Sequence, residues 1–253
     1  LRLTYIGGPT ALLELDGLRL LTDPTFDPAG TTYPTPMYTL RKTGGPALPP
    51  AQIGPVDAVL LSHDHHFDNL DHAGRAMLSQ ASKILTTPAG AGRLGGAAVS
   101  LSAWETIDLV TPGQGVVRVT GAPARHGPAN ADRGPVTGFV LTSAVDPQYC
   151  VYVSGDTVWY QGVAEVGQRF PIRLALLFMG AARVLEVSPQ HLTFTAAEGV
   201  EFARAFPDAL IVPIHFEGWA HFSESRSDID AAFARAGLQD RLRLLAPGAV
   251  ANF

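Results

Sequence analysis

The apolar run Val56–Leu61 empties directly into Ser62-His63-Asp64-His65-His66-Phe67-Asp68-Asn69. A run this short and this apolar predicts a buried strand, so the polar cluster sits at a strand end. Four of the chain's eight histidines fall between residues 63 and 72. On an extended or turning backbone, residues two apart point the same way. His63 and His65 can therefore grip one ion, with His66 on the opposite side. Neutral imidazoles suit zinc, iron, manganese or nickel.

Other strand ends carry the same chemistry. His126 follows the strand Val116–Ala122, and Asp156 closes Val151-Tyr152-Val153-Ser154-Gly155-Asp156, where Gly155 permits a tight turn. His215 closes Leu210-Ile211-Val212-Pro213-Ile214. Four strands that each end in histidine or aspartate place these groups on one rim, where they can converge.

Further expected strands are Leu1–Ile6, Ala11–Leu15, Leu18–Thr22, Lys83–Thr86, Val99–Leu101, Thr106–Val110, Val136–Thr142, Tyr149–Ser154 and Leu174–Phe178, with a last one at Leu242–Leu245. Helices are expected after a cap at Asp68 or Asn69, over Thr195–Phe206 and over Asp228–Ala236. Residues 24–55, rich in Pro, Gly and Thr, read as a loop covering a site. Interleaved strands and helices without a repeat predict an α/β fold, two sheets covered by helices, in a single domain spanning residues 1–253.

Composition narrows the function. The net charge of −5 gives no basic face for nucleic acid. The single cysteine, Cys150, excludes a disulfide framework and a zinc site built from several thiolates. No apolar run reaches membrane-span length, and the first residues read as a strand rather than a signal peptide. A cytoplasmic protein with a small-molecule partner is expected, and a homo-oligomer is compatible with the sequence.

Leu20-Leu21-Thr22-Asp23-Pro24, the histidine motif, Ser154-Gly155-Asp156-Thr157, His191-Leu192-Thr193-Phe194-Thr195-Ala196-Ala197-Glu198 and Pro213-Ile214-His215-Phe216 together resemble the metallo-β-lactamase fold superfamily. The resemblance covers nearly the whole chain and is greatest to the branch of ascorbate-6-phosphate lactonases and N-acylphosphatidylethanolamine phospholipase D. It implies a four-layered αββα sandwich with one or two divalent ions at one edge, zinc foremost, with manganese, iron or nickel also accommodated. It makes His63, His65 and His126 ligands of the first metal, Asp156 a bridge, and His215 a ligand of the second. Asp23 would orient a ligand histidine, and His191 would stand near the substrate. The family motif H-x-H-x-D-H is not matched: one inserted residue makes the aspartate Asp68, and Asn69 stands where a histidine is expected. The second site would then rest on Asp68, on a compensating His66, or on the Asn69 carbonyl oxygen.

The expected activity is hydrolysis of an ester, lactone, amide or phosphodiester by a hydroxide generated at the metal. Asp68 would orient that hydroxide or accept its proton, and His191 would donate to the oxyanion or leaving group. The alternatives are an iron-dependent redox enzyme on the same fold and a metal-binding module with a degraded second site. His72 reads as a solvated helix residue, His221 with Trp219 as either a pocket wall or a loop packed by its own aromatics, and Arg41-Lys42 as an exposed basic pair.

Overall fold

Along Ile172–Phe178, Leu174, Leu176 and Phe178 enter one buried cluster while Ala175 and Leu177 enter another. A strand of period two that is apolar on both faces must be covered on both. The computed structural model, which describes residues 1–253, shows how. In chain order the strands are β1 Arg2–Gly7, β2 Thr10–Leu15, β3 Leu18–Thr22, β4 Thr32–Pro34, β5 Thr39–Arg41, β6 Val56–Leu60, β7 Ala81–Thr86, β8 Ala98–Ser100, β9 Thr106–Val110, β10 Val116–Pro123, β11 Thr137–Thr142, β12 Cys150–Val153, β13 Ile172–Phe178, β14 Leu210–Ile214 and β15 Val250–Asn252. The helices are α1 Pro50–Ile53, α2 His72–Met77, α3 Pro88–Leu94, α4 Gln161–Arg169, α5 Ala196–Ala205 and α6 Arg226–Arg235.

One sheet runs β15-β1-β2-β3-β6-β7-β8 and the other β14-β13-β12-β11-β10-β9, with β4 and β5 forming a separate hairpin. Leu3, Leu13, Leu20 and Leu60 of the first sheet interlock with Val119, Phe139, Val151 and Leu176 of the second. The outer face of the second sheet packs Tyr152 and Leu177 against Val163, Phe202 and Phe233 of α4, α5 and α6. The outer face of the first packs Leu21 and Val59 against Ile53 and Met77 of α1 and α2. The result is the αββα sandwich that the sequence led us to expect.

The strand directions create the functional edge. β3, β6 and β7 run parallel, and β12, β13 and β14 run parallel. β10 lies antiparallel to β11, which lies antiparallel to β12, so β10 and β12 point the same way. The chain therefore leaves β6, β10, β12 and β14 toward one rim, carrying the histidine motif, His126, Asp156 and His215. Ligand sites favour such carboxyl ends of strands.

Several local expectations are corrected. Leu242–Leu245 is not a strand: Leu242 makes only an isolated bridge to Ile211, and the last strand is β15, paired with β1. The cap of α2 is Asp71, which accepts from Gly74 N, rather than Asp68 or Asn69; those two are thereby left to the site. Residues 24–55 contain the β4–β5 hairpin and α1. Lys42 is buried, its Nζ 2.7 Å from Asp71 Oδ2, so the expected exposed basic pair is Arg41 alone. α3 was not anticipated, although Thr87-Pro88 supplies both its cap and a proline in its first turn.

Candidate metal centre

The histidine motif is a turn rather than a strand. Asn69 N and Leu70 N both donate to His66 O, which curls residues 66–70 back on themselves. Alternation by two therefore fails, and His66, expected on the far side, turns inward. Its Nδ1 lies 2.9 Å from His63 Nε2 and 3.2 Å from His126 Nε2. His126 Nε2 is in turn 3.5 Å from Asp156 Oδ2.

Hydrogen bonds fix which nitrogen is free. Ser62 Oγ donates to Asp23 Oδ2 at 2.6 Å, so it can accept the Nδ1 proton of His63 at 2.9 Å. His126 Nδ1 donates to Leu192 O at 3.0 Å. Both imidazoles thus aim Nε2 lone pairs at the same point. Asp23 also accepts from Ser62 N and Asn69 Nδ2. Burial pushes its carboxyl up to about 7, against the opposing pull of Ser62 and Asn69. Asp23 thus acts on His63 through Ser62. Asn69 braces Asp23 through its amide nitrogen.

His65 behaves differently. It is exposed, and its Nε2 donates to Arg133 O at 3.1 Å, although its ring stays close to His63 and His66. The bond to Arg133 leaves Nδ1 as its free nitrogen, and His65 forms a further convergent group with His63 and His66.

The second group forms around the other Asp156 oxygen. His215 Nε2 is 3.3 Å from Asp156 Oδ1 and 3.6 Å from Asp68 Oδ2. His221 Nε2 is 3.1 Å from Asp68 Oδ2, a contact that the sequence did not disclose. His215 adopts a left-handed φ of 55°, unusual for a non-glycine residue, and is walled by Phe178 and Phe222. Asp64, between His63 and His65, points elsewhere: Arg93 clamps its carboxylate and Arg75 its carbonyl, pinning the loop.

Electrostatics mark the cluster as incomplete. Asp156 is fully buried, yet neither of its carboxylate oxygens has a hydrogen-bond partner, and both ring nitrogens of His215 are likewise orphaned. Burial would raise the Asp156 carboxyl, but the charges of His215 and then His126 hold it below the usual range. Burial would lower His215, but Asp156 and Asp68 push it up to about 10. Burial lowers His63 and takes His66 down to about 3, so both are neutral imidazoles. A buried carboxylate that accepts no hydrogen bond is costly, and a cation is its ordinary remedy.

The donor set fits. A tetrahedral ion with bonds of 2.0–2.1 Å separates its ligand atoms by roughly 3.3 Å. The separations of 2.9, 3.2 and 3.5 Å among His63, His66, His126 and Asp156 bracket that value. Asp68, Asp156 and His215 form a second convergent group that shares Asp156.

His191 lies outside this cluster. Its Nε2 is 3.2 Å from Glu198, whose carboxylate also closes the capping box of α5. The hydrogen bond that His191 donates to Glu198 holds the imidazole above its usual 6.5. Burial would raise Glu198, but the bond to His191 keeps it below 4.5. The pair's contribution is therefore full from about pH 4.5 to 6.5. It fades as pH rises through the raised His191 value or falls through the lowered Glu198 value. Glu198→Gln is expected to cost ~1 kcal/mol as the cap weakens and to flatten this pH dependence in urea unfolding. An unchanged profile would contradict the pairing. His72 is exposed and stacks near Tyr33 and Phe67, away from both groups.

Comparison with known proteins agrees with this architecture. The Beta-lactamase superfamily domain matches residues 18–216, and the chain belongs to that superfamily. A Mycobacterium tuberculosis protein of uncharacterised function is 30% identical over 230 residues, 85% of this chain. The chain spans 58% of that relative's length. A metal-dependent hydrolase of Opitutus terrae is 30% identical over 262 residues, with 98% of both chains covered. Among solved structures, the isothiocyanate hydrolase of Delia radicum gut bacteria superposes with a TM-score of 0.87 at 22% identity, covering 100% of this chain and 99% of its own. The diiron β-hydroxylase CmlA of Streptomyces venezuelae superposes at 0.71 with 15% identity, over 100% of this chain and 54% of its own. At these identities the two structures speak to fold alone. No helix is long and apolar enough to cross a membrane.

Proposed function

We propose that the chain is a metal-dependent hydrolase of small molecules, with residues 1–253 acting as one catalytic domain. The observation that carries this reading is Asp156: a fully buried carboxylate, without a hydrogen bond on either oxygen, between two groups of convergent donors. His63, His66, His126 and Asp156 would hold one divalent ion, and Asp156, Asp68 and His215 a second, with zinc the best match to this nitrogen and oxygen set. The place that the family motif gives to the exposed His65 is taken in this reading by His66, whose Nδ1 is 2.9 Å from His63 Nε2 and 3.2 Å from His126 Nε2. When bound, the ions supply Lewis acidity and bring the pKa of water toward about 7.

The chain's own groups supply the remainder. Asp68 Oδ2 orients the attacking water and takes its proton, with His221 Nε2 3.1 Å away to share it. Ser62 and Leu192 O keep His63 and His126 in the tautomer that leaves Nε2 free. His191, tied to Glu198, is not aimed at the reaction and supports the N-terminus of α5. The bond cleaved is an ester, lactone, amide or phosphodiester.

The test is chelation followed by metal return on a panel of these four bond types. Hydrolysis lost with the metal and regained with zinc is expected. Hydrolysis that persists in stripped protein would sink the reading. His66→Ala should lower metal affinity by at least about tenfold, whereas His65→Ala should change it by less than about threefold. The reverse order would restore the family pattern and remove His66 from the centre.

A further inference from the structure

Five arginines (Arg41, Arg133, Arg183, Arg204 and Arg235) have no carboxylate, carbonyl or ring partner, whereas the others pair with acids, backbone oxygens or aromatic faces. Three of the five stand around the metal centre. Arg133 and Tyr38 line the cleft above His66, Asp68, His126 and His221. Arg41 and Arg183 line an adjoining groove past His221, where Glu186 is the single acid. Tyr38 borders both spaces and a third of about 390 Å³ along Pro34–Met37. Burial first and then the Asp68 charge raise its hydroxyl pKa, against the opposing charge of Arg133.

The inner cleft offers about 20 Å³, room for about one water. The body of a substrate must therefore lie in the outer grooves, with only its reacting end inside. An arginine without a partner at that junction is a site for a planar or tetrahedral anion, which it binds through paired N–H donors.

We propose that the substrate carries an acid group, carboxylate or phosphate, held by Arg133 with the Tyr38 hydroxyl and drawn in by Arg41 and Arg183. This rests on the reading of the centre as the reaction site. Tyr38 and Arg133 line both the inner cleft and the outer space along Pro34–Met37, which makes them the specificity elements of the cleft.

Calorimetric titration of the metal-loaded protein with phenyl phosphate, phenylacetate and benzyl alcohol tests the proposal. One or both acids should bind, the tighter one naming the acid class, and the neutral alcohol should not. Arg133→Gln should weaken acid binding by about tenfold or more, while Arg204→Gln, a partnerless arginine elsewhere, leaves it unchanged. Arg183→Gln, at an exposed position where folding is not at risk, should weaken it by about threefold. Equal affinity in the native, Arg133→Gln and Arg183→Gln proteins overturns the proposal, as does equal binding of the alcohol. Metal content measured on the same samples separates the two readings. An arginine effect in protein that retains no metal supports the acid site while the metal reading fails. An absent effect in fully loaded protein overturns the acid site alone.

Discussion

Asp156→Asn should empty both metal groups at once. Each of its oxygens faces a different cluster, Oδ2 toward His126 at 3.5 Å and Oδ1 toward His215 at 3.3 Å. An amide keeps the shape but offers one neutral oxygen and a nitrogen that cannot ligate an ion. Metal content should fall to background, and hydrolysis by about 10³-fold or more, equivalent to ~4 kcal/mol of transition-state stabilisation. Elemental analysis and turnover on the same sample check it. Retention of two ions with full turnover would show that Asp156 is not the bridge. Asn69→Ala differs in kind, because Asn69 braces Asp23, which reaches the centre only through Ser62 and His63.

The second large effect concerns stability. Asp71 is fully buried and accepts from Phe26 N, Asp27 N and Gly74 N, and its Oδ2 pairs with Lys42 at 2.7 Å. One carboxylate thus caps α2, fixes the chain after β3, and anchors the strand end behind the β4–β5 hairpin. Burial lowers the Lys42 pKa while Asp71 supports the charged form. Asp71→Ala leaves Lys42 as a buried cation without its partner, which typically costs ~3–5 kcal/mol. For a chain of this size Tm should drop by roughly 6–20 °C. Lys42→Met in the Asp71→Ala background should recover part of that loss, because it removes the stranded charge. A loss below ~1 kcal/mol in urea unfolding would contradict the network. Because Tyr38 rides on the hairpin that this pair holds down, partial activity loss in the folded variant should appear as a raised KM.

The fold was legible in the sequence because its strands alternate or run apolar, and because β6, β10, β12 and β14 each reach a His or Asp within three residues of their ends. Leu210–Ile214 and its terminal His215 are the plainest example. What could not be read was the local path of Ser62–Asn69. Spacing implies a direction for each side chain only when the backbone is regular, and here hydrogen bonds to His66 O turn it. That single turn brings His66 Nδ1 within 2.9 Å of His63 Nε2. His221 was equally hidden, since its approach to Asp68 depends on a loop with no periodicity. The role of Asp71 was missed because Asp68, Asn69 and Asp71 are all competent helix caps, and only tertiary contacts choose among them. Lys42 looked exposed for a similar reason: nothing nearby in sequence announces its partner 29 residues on.

The most direct measurement is anomalous scattering from crystals grown with zinc, collected on both sides of its absorption edge. Two peaks flanking Asp156 are expected, one among His63 Nε2, His66 Nδ1, His126 Nε2 and Asp156 Oδ2, the other among Asp156 Oδ1, Asp68 and His215. No peak at Asp156, or a peak ligated by His65 with His66 turned away, would contradict the centre described above.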